Sequence, residues 1–382
     1  MRLPFFSLVL PALLLALPVR AAEGPACVAI GSWLVPGAAA PADLYGGLAH
    51  RNVVLLGESH ANVEDHRWQL QVIAALLGQR SDLVLGFEMF PRRVQPVLDR
   101  WVAGELSQAQ FLEASEWRQV WRFDPELYLP IFHFARMNRV KMLALNVDEA
   151  LVHRISAEGW QSVPPAEREG LADPAPAEPD YVAELRQVFE GHAEQGKEPP
   201  PFDAARFQRF VEAQLTWDAA MAQALVAGRK QTATPPLMIG VVGEGHVENR
   251  YGIPHQLASL GLDNVAVLLP WGPERDCSEL KAGIADAVFG VAAPEAGPKP
   301  PRLGVAIAAT SGAPRIQSVQ SASVAEQAGL KKDDVIIEAA GATLQSYDDL
   351  TAIIGRQAPG TWLPLKVKRG DETLSLVAEF PR

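Results

Sequence analysis

Cysteine is nearly absent from this 382-residue chain, with only Cys27 and Cys277 present. Two thiols exclude a thiolate-rich metal centre, which needs three or four. Tyrosine is scarce too, at five residues, so any role for a phenol falls on few candidates. Basic charge is in deficit: 34 Lys and Arg face 45 Asp and Glu, for a formal net charge of −11. Nucleic-acid backbones are held by basic patches, so nucleic acid is excluded as the main partner. Beyond residues 1–21 no apolar run is long enough to span a bilayer. The chain has no phosphate-binding Walker loop, no Gly-x-Ser-x-Gly elbow and no HExxH pair. Gly243-Glu244-Gly245-His246 lacks the third glycine of a dinucleotide fingerprint.

The composition that remains is globular. Apolar residues make up 48% and charged residues 21%, which excludes general disorder, and the length calls for two domains. Residues 1–21 read as a secretory signal peptide: Arg2 is the charged start, Leu3–Val19 the apolar run, and Val19-Arg20-Ala21 the cleavage site. Pro4, Pro11 and Pro18 and the short span argue against a membrane anchor. In an oxidising compartment an even cysteine pair predicts a Cys27–Cys277 disulfide. The rival is a lipid on Cys27, for which the preceding Gly24-Pro25-Ala26 lacks the usual Leu.

Residues 22–290 read as an α/β domain with a mainly parallel sheet flanked by helices. Strands are predicted in the stretch Val53–His60, on its apolar run Val53–Leu56, and at Leu83–Phe87, Val140–Leu145, Leu237–Val242 and Val265–Leu269, with helical spacing between them. Helices are expected over Glu64–Leu77, from Pro91 as a first-turn proline, over Asp148–Glu158 with Asp148 as cap, and over Phe202–Gly228 with Asp203 as cap and Gly228 as stop. Pro164–Asp180 and Glu194–Pro201 read as surface excursions. Residues 291–301 are a Pro-rich linker, and residues 302–382 form a small β-rich domain.

Three of the strands end in functional groups: Gly57-Glu58-Ser59-His60, then Glu88, then Gly243-Glu244-Gly245-His246. Sites in open α/β sheets sit at the carboxyl ends of strands. Glu58, His60, Glu88 and His246 are therefore expected to converge, either on a divalent metal or as a general-base pair led by His60 with Glu58 or Glu88. The bland alternative is a buried hydrogen-bonded network that positions loops. The aromatic segment Glu116–Tyr128 reads as packing onto the sheet or as the wall of a pocket.

Arg302–Arg382 resembles a bacterial PDZ domain. The residues that carry this are Arg302-Leu303-Gly304-Val305, Val319–Ala325, Ala328–Ile336, Gly341 and Asp349-Leu350, with Asp333 and Val324 where the family has Gly and Pro. The resemblance implies capture of an extended peptide or a protein C-terminus by strand addition, with Leu303, Gly304 and Val305 meeting the carboxylate and Arg302 beside it. The strand-end motifs, together with Gly86–Phe90, Ala144-Leu145-Asn146 and Tyr251-Gly252-Ile253-Pro254, resemble the ChaN family. Its superfamily also holds the Tiki proteases, the TraB proteins and erythromycin-esterase-like hydrolases.

That resemblance implies haem binding linked to haem or iron uptake, in an exported protein that is periplasmic or membrane-associated. It implies a homodimer and an outer-membrane haem receptor as partner. Tyrosine is a known axial ligand, and Tyr251 is the first choice, followed by Tyr128. His246 or His255 would be the hydrogen-bond partner or alternative ligand, and Arg92 or Arg250 would meet a propionate. Two other functions stay open: a metal-dependent hydrolase built on Glu58, His60 and Glu88, and an envelope adaptor whose binding is confined to the PDZ groove.

Overall fold

The computed structural model describes residues 27–191, 202–231, 234–294, 301–308 and 312–381. The signal-peptide expectation, the excursion 194–201 and most of the linker lie outside them. The described residues form two compact units, one up to Pro294 and one from Pro301.

The first unit is a seven-stranded sheet: β1 (Trp33–Leu34), β2 (Val53–Glu58), β3 (Leu83–Pro91), β4 (Lys141–Asn146), β5 (Leu237–Gly243), β6 (Val265–Trp271) and β7 (Ala287–Gly290). Their order is β1-β7-β6-β2-β5-β3-β4, parallel except for β1. All six residues of β2 are buried, and they alternate between two cores. Val54 and Leu56 join Trp68, Val72, Leu98 and Phe132 on one face. Val53 and Leu55 join Met221, Leu225 and Leu257 on the other. A strand covered on both faces has no polar side, which is why its sequence reads as a continuous apolar run.

Several boundaries differ from expectation for local reasons. β1 and β7 are too short and too ordinary in composition to announce themselves. Pro91 ends β3 rather than opening a helix, and the β3–β4 register shifts between Phe87 and Pro91. That irregularity holds Glu88, and bulges of this kind re-aim side chains beside sites. Asp203 caps the long helix Ala204–Arg229 by accepting from Ala205 and Arg206. Asp148 makes no cap to the helix Glu149–Glu158, because its carboxylate is paired with Arg93 at 2.6 Å. Gly228 does not stop the long helix. A Cβ there would come within 2.7 Å of Leu143, so the glycine allows close helix–sheet packing. The Pro-rich stretch after 164 is stapled back to the core: Gln256 accepts from the Ala175 amide and donates to its carbonyl. Val291 is buried in the first unit, so the linker begins after it. Cys27 and Cys277 are disulfide-bonded. Among the described residues no helix is long and apolar enough to cross a membrane.

The second unit has a four-stranded antiparallel sheet and a two-stranded one around its own core, which includes Leu303, Ile316, Ile336, Leu350, Leu365 and Phe380. Among the described residues Val305–Ile307 pairs with Ile316–Val319 on one side only. The turn before it is fixed by the Leu303 and Gly304 carbonyls, which accept from Ala325 and Gln320. Asp333 adopts φ 71°, the left-handed turn that the usual glycine would take.

Candidate functional site

β5 lies between β2 and β3, so the three strand ends stand side by side. A Cβ at Gly243 would lie 2.8 Å from the His60 ring, and glycine alone leaves that room. Beyond the strand ends is a cavity of about 490 Å³, lined by His60, Glu88 and His246 and walled by Trp121, Phe123 and Trp217. The volume is that of a small-molecule pocket. The aromatic segment therefore both packs and forms a wall: Trp117 and Tyr128 are buried, while Trp121 and Phe123 face His60 at ring distances of 4.6 and 5.2 Å. Arg93 and Arg122 also line the cavity, but they are paired, Arg93 with Asp148 and Glu116 and Arg122 with Glu149.

Behind the cavity Glu58 is buried with three partners. His60 Nδ1 is 2.9 Å from its Oε1, and the Tyr128 hydroxyl donates to the same oxygen at 2.6 Å. His66 Nδ1 lies 3.2 Å from Oε2. Burial pushes the Glu58 carboxyl up, but hydrogen bonds from His60 and His66 outweigh it and hold it at about 2. His60 is raised in turn: burial opposes its charge, while Glu58 and Glu88 favour it. His66 Nε2 meets the His60 carbonyl at 3.1 Å, which locks the turn after β2. Nearby, burial pushes the Asp65 carboxyl up to about 7 although the Ser59 amide donates to it.

A second group of the same composition stands across the cavity. Asp218, on the long helix and fully buried, takes His246 Nδ1 at 2.7 Å and the Tyr181 hydroxyl at 2.9 Å. His246 Nε2 lies 3.5 Å from Glu88 Oε1, and Glu88 Oε2 accepts from the Gly243 amide at 2.6 Å. Burial works against an imidazolium here, but the Glu88 and Asp218 charges prevail and hold His246 at about 9. A Cβ at Gly252 would come within 2.4 Å of the His246 carbonyl, so the glycine of the Tyr-Gly-Ile-Pro motif lets the chain fold back over this group.

The four residues predicted to hold a metal are thus together, but as separate carboxylate–imidazole pairs. Among the described residues no group of three or more His, Cys, Asp and Glu is arranged to hold a metal ion. The divalent-metal expectation therefore finds no support among the described residues, where the Nδ1 atoms of His60 and His246 are taken by Glu58 and Asp218.

The other predicted residues lie outside the cavity. Tyr128 is fully buried, its hydroxyl committed to Glu58. Tyr251 is half-buried, its ring 5.7 Å from Tyr181, and packs, as Phe207 and Phe210 do, against a small buried cluster of Tyr181, Leu185 and Val211. Its hydroxyl has no hydrogen-bond partner among the described residues. His255 Nε2 is bonded to the Pro176 carbonyl at 2.8 Å, with Glu178 3.7 Å from Nδ1. Arg92 donates to the carbonyls of Ala220 and Glu169, and Arg250 pairs with Asp286. In the second unit Arg302 is exposed beside buried Leu303. Sequence reasoning missed Asp218, Tyr181 and His66. The one available signal was a lone Asp inside the apolar run of a long helix.

The family model described as haem-binding uptake, Tiki superfamily, ChaN matches residues 44–257. A PDZ-domain model matches residues 301–379. Among solved structures, ChaN of Campylobacter jejuni with cofacially bound haem is 19% identical, with a TM-score of 0.50 over 64% of this chain and 89% of that one. At that identity the likeness is one of fold. The HtrA3 PDZ domain bound to a phage-derived ligand is 23% identical over 21% of this chain and 84% of that chain, with a TM-score of 0.19. No curated protein matches. The family match, spanning more than half of the residues and the whole of the strand-end site, places this chain in the ChaN family of the Tiki superfamily, with a PDZ domain following it.

Proposed function

We propose that the first unit binds haem at the surface beside β5 with Tyr251 as the iron ligand, in the service of haem or iron uptake. The observation that carries this is the state of the phenols. Those of Tyr128 and Tyr181 are buried and donated to Glu58 and Asp218, and both are pushed well above the ordinary tyrosine range, first by burial and then by those carboxylates. Tyr251 is half-buried and also raised, by burial and by Asp180 and Glu184, but among the described residues it makes no bond to a carboxylate and packs on the apolar cluster of Tyr181, Leu185 and Val211. A phenolate oxygen suits ferric iron, and an apolar flank suits a flat macrocycle. When bound, haem supplies the iron and the ring; the chain supplies one oxygen and an aromatic surface. A ligand at the surface leaves the far side of the haem open, which fits a homodimer closing over it.

The disulfide suits a chain folded in an oxidising compartment, and we place the protein in the envelope, exported and periplasmic or membrane-associated, taking haem from an outer-membrane receptor. The PDZ unit would capture a peptide or protein C-terminus along the open edge of Val305–Ile307. A haem titration of the mature protein, followed by absorption, tests the central claim. The expected result is a saturable Soret band of high-spin ferric, tyrosinate-bound type. Tyr251→Phe should weaken binding by about tenfold or more, while Tyr128→Phe and His255→Ala leave the spectrum unchanged. No saturable band, or one indifferent to Tyr251→Phe, overturns it.

One observation favours a second reading for the cavity. His60 is held through Nδ1 by buried Glu58 while its ring lines the cavity, the arrangement of a general base that needs no metal. If the cavity hydrolyses esters or amides, a substrate screen will find turnover that Glu58→Gln abolishes without changing haem affinity.

A further inference from the structure

The segment from Glu244 to Tyr251 carries both His246 and Tyr251, and its backbone is not at rest. Asn249 and Arg250 are both in the left-handed region, at φ 54° and 64°. Two consecutive non-glycine residues there persist only where surrounding contacts over-determine them. Beside Glu184 on Asn249 and the Val265 carbonyl on Arg250, four contacts on the segment come from one place, the stretch 275–286. Arg275 Nη1 is 3.2 Å from Glu244 and its Nη2 is 2.8 Å from Glu248. The Asn249 amide donates to the Ile284 carbonyl at 3.0 Å, and Arg250 pairs with Asp286 at 2.6 Å.

Arg275 is well placed for this. Its side chain is only 15% exposed and lies 4.0 Å over the Trp271 ring at the end of β6, with Glu279 as a third carboxylate. A planar guanidinium spans several carboxylates at once, which an ammonium does not. Cys277 lies two residues beyond it and is bonded to Cys27, and the Cys27 sulfur is 3.7 Å from the Arg275 carbonyl.

We propose that Arg275 is a positioning residue that clasps the segment bearing Tyr251 and His246, and that the Cys27–Cys277 bridge makes the clasp redox-sensitive. Reduction by a dithiol passes two electrons and two protons to the bridge. It leaves two thiols, oxidises the dithiol to its disulfide, and frees the Arg275 loop at its anchor. The effect on haem rests on the reading of Tyr251 above; the clasp itself does not.

The test is amide hydrogen exchange followed by mass spectrometry on the full chain, in three forms: oxidised, dithiol-treated, and Arg275→Gln with the bridge intact. Peptides covering 244–251 should exchange about tenfold faster in the second and third forms, while the interiors of β2 and β5 stay protected. Arg275→Lys, which keeps one charge, should lose less. A haem titration of the same samples should show affinity falling about tenfold in parallel, with the tyrosinate spectrum retained at saturation. Unchanged exchange at 244–251 in Arg275→Gln overturns the proposal, as does a rise spread evenly over the whole first unit. If exchange behaves as stated but the oxidised wild type binds no haem, the clasp stands and the haem reading fails.

Discussion

Tyr128–Glu58–His60 and Tyr181–Asp218–His246 are the same three chemical groups built twice around one cavity, yet they are wired to opposite electrostatic ends. In the first, one carboxylate is shared by two imidazoles and a phenol, and its proton is driven off, to about 2. In the second, one imidazole is shared by two carboxylates, Asp218 and Glu88, and its proton is retained, to about 9. The difference is one of count: whichever charge is outnumbered by its opposites is the one stabilised. Burial opposes both ionised forms, so each group depends on partners that a single substitution removes.

The largest expected effect breaks the first group. Glu58→Ala leaves His60, His66 and Tyr128 without their common acceptor and should lower the unfolding free energy by about 3–5 kcal/mol, read by urea denaturation. Next comes the pH contrast. His246 is raised above its unfolded value near 6.5, so its contribution is full below that pH and is lost as pH rises through about 9. Glu58 is lowered from near 4.5, so its contribution is full above that pH and is lost as pH falls through about 2. Denaturation across pH should show His246→Gln flattening the alkaline limb and Glu58→Gln the acid limb, each by at most about 3 kcal/mol.

Tyr128→Phe and Tyr181→Phe each delete one hydrogen bond to a buried carboxylate and should cost about 1.5–3 kcal/mol in the same assay. Equal costs would say that the phenols are equivalent despite the different wiring. The smallest effect is expected at Tyr251→Phe, within about 0.5 kcal/mol, because its hydroxyl leaves no partner behind. A large loss there would mean the phenol is structural and would remove the ground for its role as ligand.

Much of the sheet was legible from sequence because β2, β3, β5 and β6 are apolar on both faces and bounded by glycine or proline. The PDZ unit was legible from its turn residues, down to the left-handed Asp333. The convergence of His60, Glu88 and His246 was legible because strand ends are where parallel sheets present side chains. The partners of those residues were not. Asp218 lies 28 residues before His246 and Tyr128 lies 70 after Glu58, separations across which no local pattern carries information. The placement of Tyr251 outside the cavity is of the same kind, beside a Tyr181 that lies 70 residues earlier in the chain.

Sequence alone determined the longer buried strands and which groups stand at their ends, because periodicity, turn chemistry and apolar runs act over a few residues. Tertiary structure decided which carboxylate meets which imidazole, and therefore which protons are held. It also decided that the Tyr251 hydroxyl, unlike those of Tyr128 and Tyr181, meets no carboxylate among the described residues. Those outcomes depend on burial and on distances of about 3 Å between residues far apart in the chain, which exist only once the sheet is packed.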